Sequence, residues 1–132
     1  MEIPDDLLYT KEHEWVKVDA DGEVLVGITD YAQEQLGDVV FVELPAADEE
    51  NVVSRDEPFA VVESVKAASD VYAPVTGKVI EANDELVGTP SMLNEDCYGD
   101  GWMVRMESTV AEELSDLLTP EAYAELVEEL TS

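Results

Sequence analysis

One stretch decides the fold: Phe59-Ala60-Val61-Val62-Glu63-Ser64-Val65-Lys66-Ala67-Ala68-Ser69-Asp70-Val71-Tyr72-Ala73-Pro74-Val75. Two apolar runs rich in β-branched residues, 59–62 and 71–75, flank a short polar centre, which predicts two strands that meet at a tight turn. Lys66 lies at the predicted tip, in a chain with only 6 Lys and Arg residues combined. A lysine on a stiff hairpin is a suitable attachment point for a prosthetic arm. An ordinary solvated turn lysine is the alternative that these residues leave open.

On both sides of this hairpin, most of the sequence is predicted to form short β strands. Further strands are predicted at 7–9, 15–18, 24–28, 39–44, 52–53, 77–83 and 102–107, with a long loop at 90–100. A short helix is predicted at 31–36, capped by Thr29 or Asp30 and ended by Gly37. Two more helices are predicted within 109–131, the second from Pro120 to Leu130 with Tyr123, Leu126, Val127 and Leu130 on one face. Residues 1–132 therefore predict one mainly β domain, a small barrel or sandwich with helical additions.

The charge of the chain is extreme. It has 33 Asp and Glu residues against 6 Lys and Arg, which gives a net charge of −27 at pH 7. Such a surface repels nucleic acid and anionic lipid, so neither is expected as a partner. The carboxylates are spread along the whole chain, which favours adaptation to high salt over recognition of one basic partner.

Cysteine and histidine usage excludes several kinds of site. Cys97 is the only cysteine, so an intrachain disulfide and a cysteine-based metal cluster are excluded. His13 is the only histidine, and Glu12-His13-Glu14 is interpreted as a surface turn before a strand, so no metal site is predicted. No signal peptide and no apolar run of about 20 residues is found, which predicts a soluble protein of the reducing cytoplasm.

Motifs of stand-alone enzymes are incomplete in this chain. Thr76-Gly77-Lys78 resembles the end of a phosphate-binding loop, but Val79 stands where Ser or Thr is required. The pair Ser64 and Lys66 is too closely spaced for a Ser-x-x-Lys nucleophile. A carrier or binding module is therefore favoured over an enzyme.

Several separate motifs, in order, resemble the glycine cleavage system H-protein family. Residues 63–77 resemble its lipoyl-attachment segment, and Tyr9-Thr10-Lys11-Glu12-His13-Glu14-Trp15-Val16 is similar to its N-terminal signature. The stretches 26–33, 36–45, 94–96 and 98–102 are similar to its middle and to the loop before its last strand. The chain departs from the family at 46–50, which lacks the usual glycine, and at Cys97, where proline is common.

The resemblance implies a non-catalytic carrier with the lipoyl/biotinyl-type hybrid barrel-sandwich fold. A lipoate-attaching enzyme would link lipoate to Lys66, within the attachment segment that also contains Glu63, Ser64, Val65 and Ala67. In the family, the arm accepts an aminomethyl group at the pyridoxal-phosphate P-protein and delivers it to the T-protein. The flavoenzyme L-protein then reoxidises the arm. The chemistry belongs to the cofactors and partners, while the carrier supplies positioning.

The resemblance also implies a groove in which the loaded arm docks. The matching positions are Glu14, Gln35, Ser69 and Asp70. Glu14 and Asp70 would hold a cationic amine by charge-assisted hydrogen bonds, whereas the neutral Gln35 amide could hydrogen-bond but not titrate.

A lysine at a hairpin tip is also typical of two other carrier functions. A lipoyl-relay protein that supplies lipoate to other complexes remains an alternative that sequence cannot separate. A biotinyl carrier is disfavoured, because biotin-accepting lysines typically lie between methionines and Lys66 lies between Val65 and Ala67.

If the acidity is an adaptation to high salt, the melting temperature should rise with salt. Screening shortens from about 30 Å at 0.01 M to about 3 Å at 1 M, so self-repulsion among the carboxylates weakens over that range. Thermal unfolding followed by circular dichroism across it measures the effect. A melting temperature that does not change with salt would contradict this explanation.

Overall fold

Two antiparallel sheets form the framework of the chain in a computed structural model that describes residues 2–19, 22–48 and 50–131. Within these residues one sheet has six strands, and their spatial order is β1 (Leu8–Tyr9), β2 (Glu14–Val18), β3 (Glu23–Ile28), β9 (Val104–Ser108), β8 (Gly77–Ala82) and β5 (Val52–Val53). The other sheet has three, in the order β4 (Val39–Glu43), β6 (Pro58–Ser64) and β7 (Ala68–Tyr72). The helices are α1 (Asp30–Leu36), α2 (Asp84–Gly88), α3 (Met92–Glu95), a 3-10 helix (Ala111–Asp116) and α4 (Pro120–Thr131).

The core divides into three apolar clusters. One is built mainly on the six-stranded sheet, with Val26, Val79 and Val104 fully buried. A second lies behind the three-stranded sheet, and the half-buried Phe59 packs against both of these clusters. The third surrounds Trp15 beneath α4. The mainly β class with helical additions is the one predicted from the strand pattern.

The central hairpin forms, but its strands are displaced from the predicted runs. β6 and β7 pair with Val62 opposite Ser69 and Glu63 opposite Ala68, so the turn is residues 65–67. The second strand begins earlier than predicted and ends at Tyr72, because Pro74 has no N–H group to continue the ladder. The backbone of Ala73 instead exchanges hydrogen bonds with the segment before β6.

Helix α1 agrees with the prediction and resolves its open choice of cap. The Thr29 hydroxyl accepts a hydrogen bond from the N–H of Ala32 at 3.2 Å, so Thr29 is the N-cap. Gly37 ends the helix with φ 79° and ψ −154°, which is not the expected left-handed helical conformation. This backbone region is accessible essentially only to glycine.

Two short helices were not predicted. The segment 90–100 was expected to be a loop, but it contains α3, and α2 precedes it. Helices of four or five residues are too short to show a 3.6-residue period in the sequence. Leu86 of α2 and Leu93 of α3 are each fully buried in the second cluster, and this burial holds both helices against the sheet.

The C-terminal region differs in part from the prediction. The expected first helix is a 3-10 helix. Its Glu113 carboxylate accepts hydrogen bonds from the N–H and hydroxyl groups of Thr76, the residue before β8. In α4, Tyr123 and Val127 are buried, and the Tyr123 ring stacks on Tyr9 with 4.6 Å between centroids. Leu130 was predicted on the same face but is 53% exposed, because the last turn extends past the core.

Trp15 anchors the third cluster through a close backbone approach. Gly27 lies opposite it on β3, where a Cβ atom would come within 2.6 Å of the indole, so only glycine fits. The indole N–H donates to the carbonyl of Cys97 at 2.9 Å. Burial raises the pKa of the Cys97 thiol to about 12, which fits a packing role.

Across the described ranges, no helix has both the length and the apolar character needed to cross a bilayer.

Candidate functional site

The Lys66 turn is held rigidly by its own residues. The Ser64 hydroxyl accepts from the N–H groups of Lys66 at 3.3 Å and Ala67 at 3.1 Å, and the Ser64 N–H donates to the Ala67 carbonyl at 2.7 Å. The Lys66 side chain is exposed. The sequence therefore presents a primary amine at the tip of a hairpin whose backbone is fixed immediately beneath it.

A second anchor joins this turn to the connection between α1 and β4. The Val65 N–H donates to the carbonyl of Asp38 at 3.0 Å. Gly37 lies so near that a Cβ added to it would be 3.4 Å from Cε of Lys66. The distal methylene groups of the lysine side chain are thus placed against the end of α1.

A groove of about 430 Å³ runs beside the hairpin, between β7, α1 and the segment that leads into β2. Its walls are apolar where Ile28, Leu36 and Val62 line them. All four residues predicted to dock the arm line this groove: Glu14, Gln35, Ser69 and Asp70. Apolar walls with a few polar groups suit an aliphatic chain that ends in a polar head.

Glu14 is the buried polar group of the groove. It is 3% exposed, its Oε1 accepts from the Thr10 hydroxyl, and its Oε2 accepts from the Tyr72 N–H at 3.4 Å. Burial raises the pKa of Glu14 to about 7, although both hydrogen bonds favour the charged form and act against that rise. The carboxyl is therefore poised to change charge near neutral pH.

The other predicted docking residues are exposed at the rim. Ser69 and Asp70 lie on β7, and the Ser69 hydroxyl is directed to the carbonyl of Asp70 at 3.4 Å. Gln35 is on α1, across the groove. Of the residues predicted around Lys66, Ala67 also lines the groove, whereas Glu63, Ser64 and Val65 do not.

Sequence reasoning missed a network that links the lining of this groove to α4. His13 was interpreted as part of a surface turn, but it is half-buried with φ 71°, and its ring lies 4.7 Å from that of Tyr31. Its Nδ1 lies 2.9 Å from the hydroxyl of Tyr123, which is also 2.7 Å from the Thr29 hydroxyl. Burial lowers the pKa of His13. Since Tyr123 lies 110 residues from His13, no local spacing signals the contact.

This sequence and fold are similar to those of known proteins. A family model described as Glycine cleavage H-protein matches residues 7–130. The glycine cleavage system H protein of Carboxydothermus hydrogenoformans is 54% identical over 128 residues, which are 96% of this chain and 95% of that protein. The H protein of Halothermothrix orenii is 52% identical over 130 residues, 98% of this chain and 99% of that protein.

A solved structure agrees with these relatives. The crystal structure of a glycine cleavage system H protein from Mycobacterium marinum matches with a TM-score of 0.85 and 38% identity. The match covers 98% of this chain and 100% of that one. This likeness confirms the predicted hybrid barrel-sandwich.

We expect Thr10→Val to raise the pKa of Glu14 above its wild-type value of about 7, because the hydroxyl that stabilises the carboxylate is removed. Carbon-detected NMR of the Glu14 carboxyl across pH 4 to 9 measures the midpoint directly. Thr10→Ser keeps the hydroxyl and is the matched control. An unchanged midpoint in Thr10→Val would show that this hydrogen bond does not set the charge of Glu14.

The raised pKa of Glu14 also makes the free energy of unfolding depend on pH. The ordinary pKa of 4.5 rises to about 7 on folding, so the folded protein holds a proton that the unfolded chain releases. The contribution of Glu14 to stability is therefore complete below pH 4.5 and is lost as pH rises toward 7.

Proposed function

The chain belongs to the glycine cleavage H-protein family, and from that membership we propose that it carries lipoate in amide linkage on Lys66. Proteins of this family are carrier components of the glycine cleavage system and are not themselves catalytic. One observation carries the assignment to Lys66. Lys66 is exposed, its turn is fixed by Ser64, and a groove of about 430 Å³ runs beside that turn. The whole of residues 1–132 would act as this single carrier domain.

The dithiolane ring of lipoate, bound to Lys66, would supply the chemistry that moves an aminomethyl group from P-protein to T-protein and electrons to L-protein. The chain's own contribution is geometric. Because Ser64 and the Asp38 carbonyl fix the turn, the base of the arm would be presented in one place to each partner and to the lipoate-attaching enzyme. Tethering gives a high local concentration at each docked active site without tight binding.

The groove would shelter the arm between visits to the partners. An ionised Glu14, oriented by Thr10 and Tyr72, would accept a hydrogen bond from a cationic amine at the end of the arm. Asp70 at the rim would add a second negative charge, while Gln35 and Ser69 would offer neutral hydrogen bonds. Ionisation of Glu14 would itself be favoured by that cation, since an opposite charge lowers a carboxyl pKa.

The acidity and location of the protein are separate proposals. We attribute the −27 charge to adaptation to high salt, because acidic residues occur on nearly every element. The curated relatives come from bacteria of several genera and do not assign this chain to a high-salt source. A cytoplasmic location is proposed because the single cysteine can form no intrachain disulfide, as is usual for proteins of reducing compartments.

The function is tested by replacing the acceptor amine. We expect Lys66→Arg to keep the positive charge but abolish both the lipoyl mass increment and support of glycine decarboxylation by P-protein. Lys78→Arg, a like exchange on β8 away from the turn, is the matched control and should retain both. Intact-protein mass spectrometry and release of labelled carbon dioxide from glycine are the two measurements.

The two measurements separate the possible carriers. A lipoylated chain that supports decarboxylation is a glycine-cleavage carrier, and one that is lipoylated but inactive with P-protein favours the lipoyl-relay function. A biotin-sized increment, or lipoylation that persists in Lys66→Arg, would contradict the proposal.

Docking of the arm is tested separately by removing one groove charge. We expect Glu14→Gln to speed loss of ammonia from the loaded carrier by about 10- to 150-fold, because a charge-assisted hydrogen bond is worth about 1.5–3 kcal/mol. Glu43→Gln replaces an exposed glutamate of β4, outside both the groove and the attachment segment, and is the control. The rate is followed by an ammonia-coupled assay, and equal rates in both variants would remove Glu14 from this role.

A further inference from the structure

The side-chain amide of Asn94 on α3 forms hydrogen bonds that join the end of α1 to the start of β4. Its Nδ2 group donates to the Gly37 carbonyl at 2.8 Å and to Oε1 of Gln33 at 3.0 Å. Its Oδ1 accepts from the Val39 N–H at 2.9 Å. An Asn side chain offers two donors and one acceptor oxygen, so each function of this part-buried amide is engaged.

These contacts bracket the residue that anchors the lysine turn. Asp38 stands between Gly37 and Val39, and its carbonyl accepts the N–H of Val65, the residue before Lys66. Asn94 therefore holds both neighbours of the anchoring carbonyl in place. Gly37 itself has φ 79° and ψ −154°, a backbone conformation that glycine reaches because it has no Cβ atom.

The same amide also orients one wall of the groove. Gln33, the partner of Asn94, lies on α1, and Gln35 and Leu36 of that helix line the groove. Leu93, next to Asn94, is fully buried in the core and fixes the base of α3. Asn94 thus connects the turn and the groove wall to one rigid point of the core.

We propose that Asn94 is a positioning residue for the modification of Lys66: it fixes the acceptor turn relative to the groove through the Gly37–Val39 backbone. This inference rests on the proposed function, because it assumes that Lys66 accepts lipoate. Asn94 makes no contact with the amine and acts through the Asp38 carbonyl and Val65.

The chain offers a chemically matched control at Asn83. Its Nδ2 group also donates to two oxygens, the carbonyls of Asp100 at 2.9 Å and Trp102 at 2.7 Å. These contacts secure the segment between α3 and β9 and are not part of the Lys66 turn. Asn94→Asp and Asn83→Asp each replace a double donor by a carboxylate that faces two acceptors, so both remove the same kind of interaction.

The test measures lipoyl transfer to Lys66 of the full chain by a lipoate ligase with excess lipoate and ATP. For Asn94→Asp we expect kcat/KM to fall about tenfold, mostly in kcat, because a loosened turn misplaces the amine while the exposed surface that the ligase contacts is retained. For Asn83→Asp we expect wild-type kinetics. Asn94→Ala removes the donors without adding charge, and it is the second variant if Asn94→Asp does not fold.

Amide hydrogen exchange of Val65 gives a readout that general destabilisation would not reproduce. Its N–H should exchange faster in the Asn94 variants and at the wild-type rate in Asn83→Asp, under conditions where all remain folded. Wild-type kcat in a folded Asn94 variant, or an equal loss in Asn83→Asp, would overturn the proposal. A wild-type chain that accepts no lipoyl group would refute the proposed function instead, and the Val65 exchange would still decide whether Asn94 holds the turn.

Discussion

The antiparallel pairing of β6 with β7 is the constraint on which the core and the candidate site both depend. Ser69 and Val71 lie two residues apart on one face of β7, and Val62 lies opposite Ser69 on the same face. The register that buries the two valines therefore also places Ser69 on the groove that all three residues line. A slip of one residue would reverse every side chain of the strand at once. Burial of these valines therefore fixes the position of the Lys66 turn before any residue near the lysine contributes.

Electrostatics in this chain depend on where its scarce cations lie. Arg105 bridges carboxylates of three strands or turns, with Asp19 at 2.8 Å and Glu23 and Glu81 at 3.5 Å. Arg55 similarly joins the hairpin approach to the 3-10 helix through Asp116 at 2.9 Å. Each guanidinium group connects elements whose carboxylates would otherwise repel one another. Beside the groove the opposite arrangement holds, because no Lys or Arg of the described residues lines the groove around the buried Glu14, and burial raises the pKa of Glu14.

The sequence was informative where local chemistry dictates structure. Alternating β-branched runs predicted most strands, Thr29 was correctly among the candidate caps, and the four groove residues were named from a family resemblance. It was uninformative where tertiary contacts decide. The helices α2 and α3 are too short to show periodicity and exist because Leu86 and Leu93 are buried. The contacts of Tyr123 and Asn94 join distant segments, so neither periodicity nor spacing could indicate them.

Burial of Cys97 has a consequence for redox chemistry. A thiolate, not a thiol, attacks a disulfide, and a thiol whose pKa is raised to about 12 is almost wholly protonated at neutral pH. The sulfur is also shielded, at 7% exposure beneath the Trp15 contact. A dithiolane carried on Lys66 would therefore meet no reactive sulfur on its own protein in thiol–disulfide exchange. The carrier could pass through oxidised and reduced states without capturing its own arm as a mixed disulfide.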